Sequence, residues 1–100
     1  MQARIGTFEV SPEGLEEVVA LFRDRVVPAF SAHTGFIGYQ AYVDRAQGRF
    51  VGVSLWASRE ALDASGETAL RARNDAADLG ARTIGEPQIL EMAFAAPFQP

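Results

Sequence analysis

The sequence predicts an α+β domain of the ferredoxin-like kind: a four-stranded antiparallel sheet with two helices on one face, working as a dimer whose sheets pack face to face. Three observations carry that expectation. The elements run strand, helix, strand, strand, helix, strand (βαββαβ), which is a split pair of βαβ units. Each helix has an apolar stripe along one side only. The central hairpin, finally, is apolar on both faces, whereas an antiparallel sheet covered on one side alternates between apolar and polar residues.

The first strand covers Arg4 to Val10, with Ile5, Thr7, Phe8 and Val10 as its β-formers. Ser11-Pro12-Glu13 then starts a helix: Ser11 can cap free amides, Pro12 lacks the donor that would go unpaired, and Glu13 faces the positive dipole end. Leu15, Val18, Val19, Phe22 and Val26 form its buried stripe. Pro28 should kink or thin the last turns, and Gly35 supplies the left-handed stop.

Phe36–Asp44 and Arg49–Trp56 read as the second and third strands, joined by the turn Arg45-Ala46-Gln47-Gly48. Pairing Asp44 with Arg49 sets Val43 against Phe50, Ala41 against Gly52 and Tyr39 against Ser54. One face then carries Ile37, Tyr39, Ala41, Val43, Phe50, Gly52, Ser54 and Trp56. The other carries Phe36, Gly38, Gln40, Tyr42, Arg49, Val51, Val53 and Leu55. The more aliphatic second set points towards ordinary core, but the pattern leaves open which face meets the helices.

Ser58 caps a second helix, whose stripe is weaker: Leu62, Ser65 or Gly66, Ala69 or Leu70, Arg73, then Ala76 and Ala77. Gly66 costs about 1 kcal/mol relative to alanine inside a helix, so a break is expected there. Leu79-Gly80 ends the helix and Ala81–Pro87 is a loop. Gln88–Ala96 is the last strand, followed by the short tail Pro97-Phe98-Gln99-Pro100. With both helices on one side, the remaining sheet face requires a cover, and a two-fold partner is the usual one.

Length and composition bound the rest. The 100 residues suit a single domain over 1–100, with 48% hydrophobic and 22% charged residues. Without cysteine there is no disulfide scaffold, thiolate metal site or cysteine nucleophile. One histidine and dispersed carboxylates give no metal spacing, and no glycine-rich loop precedes a helix, so neither metal nor bound cofactor is expected. A net charge of −4 with scattered arginines argues against nucleic acid. No apolar run reaches the roughly 20 residues of a membrane span, and Met1-Gln2-Ala3-Arg4-Ile5 lacks the apolar centre of a signal peptide. The expectation is cytoplasmic.

Two segments carry a family resemblance. Gly35-Phe36-Ile37-Gly38-Tyr39 resembles the "pGF.G" signature of the antibiotic biosynthesis monooxygenase-like family. Val53-Ser54-Leu55-Trp56-Ala57-Ser58-Arg59-Glu60-Ala61-Leu62 resembles that family's "v..We s.eal" segment. The resemblance implies a dimeric α+β barrel. It also implies one of several activities: oxygenation of aromatic polyketides or quinols without metal or flavin, haem degradation, or no known reaction. Haem-degrading relatives use an asparagine on the first strand and a tryptophan and histidine on the second helix. This chain has none of the three there, and Trp56 falls at the family's structural tryptophan position.

The candidate catalytic residues are His33 and Arg73. His33 either complements a helix dipole or serves as a base. Arg73 either stabilises an anionic or phenolate oxygen, or snorkels and pairs with Asp75 or Asp78. The candidate substrate pocket is Tyr39, Ser54 and Trp56, on one hairpin face; if that face is the dimer side, Tyr42 and Gln40 become the pocket pair. Trp56 either stacks on a planar ligand or caps the core. Two functions follow: a cofactor-free monooxygenase acting on an electron-rich aromatic, or a non-catalytic homodimeric module that binds a small ligand or only assembles.

Overall fold

The computed structural model, which describes residues 1–97, has five strands: β1 (Gln2–Glu9), β2 (Phe36–Asp44), β3 (Arg49–Trp56), β4 (Arg82–Thr83) and β5 (Gln88–Glu91). They form one antiparallel sheet in the order β2-β3-β1-β4, with β5 also paired to β1. β4 pairs with Phe8 and Glu9, while β5 pairs with Gln2 to Ile5. The ferredoxin-like α+β arrangement therefore holds, and its fourth strand is delivered in two pieces. Part of the expected Ala81–Pro87 loop is the short β4, and the last strand stops at Glu91 rather than Ala96. Of the expected tail, Phe98 to Pro100 lie outside the described residues.

The first helical region departs from a plain helix at both ends. It opens with a 3₁₀ turn, Pro12–Gly14, in which the Ser11 carbonyl accepts the Gly14 N–H at 2.9 Å. The Ser11 side chain makes no cap bond, contrary to expectation. After α1 (Leu15–Leu21) comes a π-helical turn, Phe22–Val26, and then α2 (Val27–Ser31). Pro28 explains the widened turn: it has no N–H to offer, and its ring crowds the carbonyl of Asp24. Leu15, Val18, Leu21, Phe22, Val26 and Phe30 are all buried, so the stripe persists through the irregularity. Gly35 sits at φ 88°, where a side chain would also strike Ala61.

The hairpin register is the expected one, from Asp44 opposite Arg49 to Tyr39 opposite Ser54. A bulge between Phe36 and Gly38 alters its far end. Ile37 is turned outward, 50% exposed, and Phe36 turns in against Trp56 with ring centroids 5.3 Å apart. The two residues thereby exchange the faces assigned to them.

The face that meets the helices is the one with Phe50, Ser54 and Trp56, all buried. The aliphatic bias towards Val51, Val53 and Leu55 is thus overturned. Aromatic bulk decides the matter: Phe8, Phe22, Phe30, Phe50 and Trp56 interlock into one core, and each such ring contributes roughly 1.5–3 kcal/mol on burial. Val51, Val53 and Leu55 stay half-exposed on the opposite face, beside half-exposed Ile5 and exposed Tyr42 and Leu90.

The second helical region breaks where glycine predicted. α3 (Arg59–Ala64) is capped by the Ser58 hydroxyl, which accepts the Ala61 N–H at 3.1 Å. α4 (Gly66–Asp78) follows after Ser65. Of the alternatives in the weak stripe, Ser65, Ala69 and Ala76 are buried, Ala72 joins them, and Leu70 points out. These small residues let α4 approach the sheet closely. No helix of the described residues is long and apolar enough to cross a membrane.

Candidate functional site

Three of the four rows of the helix-covered sheet face, read across β2, β3 and β1, frame the site; the fourth, Phe36, Trp56 and Gln2, lies beyond them. At one end lie Val43, Phe50 and Phe8; at the other, Tyr39, Ser54 and Arg4. Between them lie Ala41, Gly52 and Gly6. Three adjacent strands thus present a single methyl group where the neighbouring rows present rings and a guanidinium. A row without side chains under a helix leaves a hollow, and the cavity is there. It measures about 40 Å³ and opens to the surface on one side.

Its floor is Gly6 and Gly52, its aromatic wall Phe8, Phe22, Phe30 and Tyr39, and its roof Ala69, Ala72 and Arg73 of α4. Arg4, Ser54 and Pro87 complete it. The volume admits a few waters or a ligand head group, and falls well below the roughly 300 Å³ of an ordinary ligand pocket. The π turn includes Phe22, which lines the cavity with its ring tilted against Phe50 at a centroid distance of 4.7 Å and stacked on Tyr39 at 6.1 Å.

Gly52 has a second use. A methyl group there would overlap the Tyr39 hydroxyl, so the phenol lies directly across this glycine. Desolvation pushes the Tyr39 phenol above its ordinary pKa, which keeps it a neutral donor. Ser54 accepts the Trp56 indole N–H at 2.9 Å, and its own O–H is left to donate.

Arg4 reaches from β1 to the α3–α4 break. Its Nη1 donates to Ser65 Oγ at 2.9 Å and its Nη2 to the Leu62 carbonyl at 2.8 Å. Ser65 Oγ in turn donates to the same carbonyl at 2.7 Å. A cation at a helix C-terminus satisfies carbonyls that the helix leaves free. Partial burial lowers the Arg4 pKa, and the like charge of Arg73 adds to the effect while Asp63 opposes it. Even so, a guanidinium stays charged. Among the described residues Arg73 makes no ion pair, neither with Asp75 nor with Asp78.

Of the residues singled out from the sequence, Arg73, Tyr39 and Ser54 come together around this cavity. Trp56 and His33 do not line it. Trp56 is fully buried behind Ser54, edge-on to Phe30 and Phe36. His33 Nε2 lies 2.8 Å from Thr68 Oγ1, tying the segment after α2 to α4. The alternative pair, Gln40 and Tyr42, is exposed on the opposite sheet face, where the Tyr42 hydroxyl donates to Gln40 at 3.2 Å.

Sequence reasoning missed Arg4, Gly6, Phe22 and Phe30. For the first two a signal existed. Alternation along β1 puts Arg4, Gly6 and Phe8 on one face, and a charge followed by a missing side chain on a core face marks a cavity.

The family model for antibiotic biosynthesis monooxygenases matches residues 1–73. An uncharacterised protein of Mycobacterium tuberculosis is 34% identical over 94 residues, 94% of this chain and 41% of its own length. The chain thus spans about two fifths of that curated relative. Among solved structures, a candidate antibiotic biosynthesis monooxygenase of Deinococcus radiodurans has TM-score 0.76 at 18% identity, covering 100% of both chains. A cofactor-independent oxygenase of Streptomyces nogalater has TM-score 0.65 at 16% identity, covering 97% of each chain. A monooxygenase of Streptomyces coelicolor, solved in complex with nanaomycin D, has TM-score 0.67 at 19% identity over 99% of this chain and 91% of that one. These structural likenesses concern the fold. The sequence match settles the family: this chain belongs to the antibiotic biosynthesis monooxygenases.

Proposed function

We propose that this chain is a cofactor-independent monooxygenase for an electron-rich aromatic such as a quinol or anthrone, acting in the cytoplasm as a homodimer. The observation that carries the reading is the cavity: apolar walls, a floor left open over Gly6, and two arginines beside two hydroxyls that can donate. In such a reaction the ring CH₂ of an anthrone becomes C=O, or a ring C–H of a quinol becomes C–OH as the quinol is oxidised to the quinone. One oxygen atom of O₂ enters the substrate and the other leaves as water. The substrate supplies the electrons. What the protein must do is hold the ring, exclude bulk water and favour the substrate anion that reacts with oxygen.

Arg73 serves the last need by lowering the pKa of a ring hydroxyl placed beside it. Among the described residues no carboxylate or imidazole lines the cavity, so the proton leaves to water at its mouth. Tyr39 and Ser54 donate to the oxygen that remains. The solved structures named as oxygenase and monooxygenase support this choice of chemistry over others within the fold.

The test is oxygen uptake with a panel of quinols and anthrones in metal-free buffer. Turnover is expected for at least one, falling roughly 10²-fold or more in Arg73→Gln, the scale of removing one donor to a developing oxyanion. No uptake across the panel overturns the reading. A second reading, a ligand-binding module without turnover, is favoured by the tie of His33 to Thr68, which leaves the cavity without a base. Thermal stabilisation by a compound that is never converted would select it.

The homodimer is supported by the open sheet face, where Val51, Val53, Leu55 and Ile5 are half-exposed and Tyr42 is 55% exposed. Sedimentation equilibrium at micromolar concentration should give twice the 10.8 kDa chain mass. A monomer there overturns the dimer.

A further inference from the structure

We infer that the ligand of this cavity carries a carboxylate, distinct from any oxygen that reacts, and that Arg4 is the residue that anchors it. The inference rests on the cavity being the ligand site and goes beyond it by naming the substrate class.

Cations without an anion carry the inference. Four lining side chains carry polar hydrogens: Arg4, Arg73, Tyr39 and Ser54. Among the described residues, none that lines the cavity is a carboxylate, an amide or an imidazole. Arg4 commits two of its five N–H groups, to Ser65 and Leu62, and three remain. Arg73 makes no ion pair among the described residues. Two cations therefore face a mostly apolar hollow with nothing of opposite charge in its lining.

A single phenolate oxygen calls for one such cation. A second guanidinium, that of Arg4, fits a planar anion with two oxygens, because the fork of an arginine matches a carboxylate in bidentate fashion. The small volume agrees: about 40 Å³ takes a head group, with the ring against Tyr39 and the mouth. Arg4 is also the better anchor of the two. Its bonds to Ser65 Oγ and the Leu62 carbonyl hold its guanidinium in place before any ligand arrives, so little side-chain freedom is lost on binding.

Isothermal titration of the intact chain with 2,5-dihydroxybenzoate, its methyl ester and hydroquinone tests this. The acid should bind about tenfold or more tighter than the ester or hydroquinone, as a charge-assisted hydrogen bond predicts. Arg4→Met should erase the preference. Should that variant fail to fold by circular dichroism, Arg73→Gln, which breaks no ion pair of the fold, should reduce it. Equal affinity for acid and ester, no binding of the acid, or a preference that survives in Arg4→Met (in Arg73→Gln, where Arg4→Met does not fold) overturns the inference. Oxygen uptake, measured separately, tells the two proposals apart. Acid preference without uptake leaves the anchor and defeats the monooxygenase, whereas turnover of neutral quinols with no acid preference does the reverse.

Discussion

Two rows of the helix-covered sheet face, on either side of the glycine row, are built on opposite plans. At the Val43–Phe50–Phe8 end, Phe50 is fully buried and Phe8 nearly so, and Phe22 packs 4.7 Å from Phe50 and 5.5 Å from Phe8. At the Tyr39–Ser54–Arg4 end, polar groups face a hollow, and the row between has almost no side chains. The strands, the register and the covering helices are shared. Side-chain volume alone separates a region that holds the fold from a region that can admit a ligand.

That contrast is sharpest at its closed end. Phe50→Ala removes a fully buried ring from the centre of the aromatic cluster and should cost about 3–5 kcal/mol in denaturant unfolding. A loss below about 1 kcal/mol, the size of an ordinary surface or peripheral change, would mean that this end does not anchor the fold.

The boundary row gives the next effect. Gly52→Ala sets a methyl group against the Tyr39 hydroxyl and within 3.3 Å of Phe50, so overpacking should destabilise by about 1–3 kcal/mol. Because the Tyr39 hydroxyl is the nearest obstacle, the same substitution in a Tyr39→Phe background should cost less. An equal cost in both backgrounds, measured as a double-mutant cycle, would show that the phenol does not lie across Gly52.

The closed end was more legible in the sequence than the open one, for a physical reason. Large apolar residues announce themselves by periodicity, which is why the stripe from Leu15 to Val26 and the pairing of Val43 with Phe50 were readable. A cavity is a property of absent side chains across three strands. Ala41 opposite Gly52 was readable within the hairpin, but Gly6 joins them only through the pairing of β1 with β3, which no local pattern reports. Arg4 was hidden likewise, since its partners Leu62 and Ser65 lie some 60 residues away. The exchange of Phe36 and Ile37 depended on one bulge, and the choice of face on how five distant aromatic rings fit together. Trp56 follows the core-capping one of its two readings rather than the stacking one: its N–H is satisfied by Ser54 and its ring is sealed in.

The open end yields the smallest change in stability and the most telling one. A methyl group at Gly6 meets only the Phe8 ring, at an ordinary 3.5 Å, and otherwise enters the hollow. Glycine inside a strand costs about 0.5–1 kcal/mol relative to alanine, so Gly6→Ala should leave the fold unchanged or stabilise it by roughly that amount. The same methyl takes up a large share of a cavity of about 40 Å³, so affinity for any compound that occupies it should fall. A protein selected only for stability would carry the alanine. Thermal unfolding alongside titration of Gly6→Ala with 2,5-dihydroxybenzoate reads both quantities on one sample. A higher melting temperature with weakened binding means that the glycine is kept for the ligand. Undiminished binding would mean that the hollow between Gly6 and Gly52 is a packing defect and that the ligand goes elsewhere.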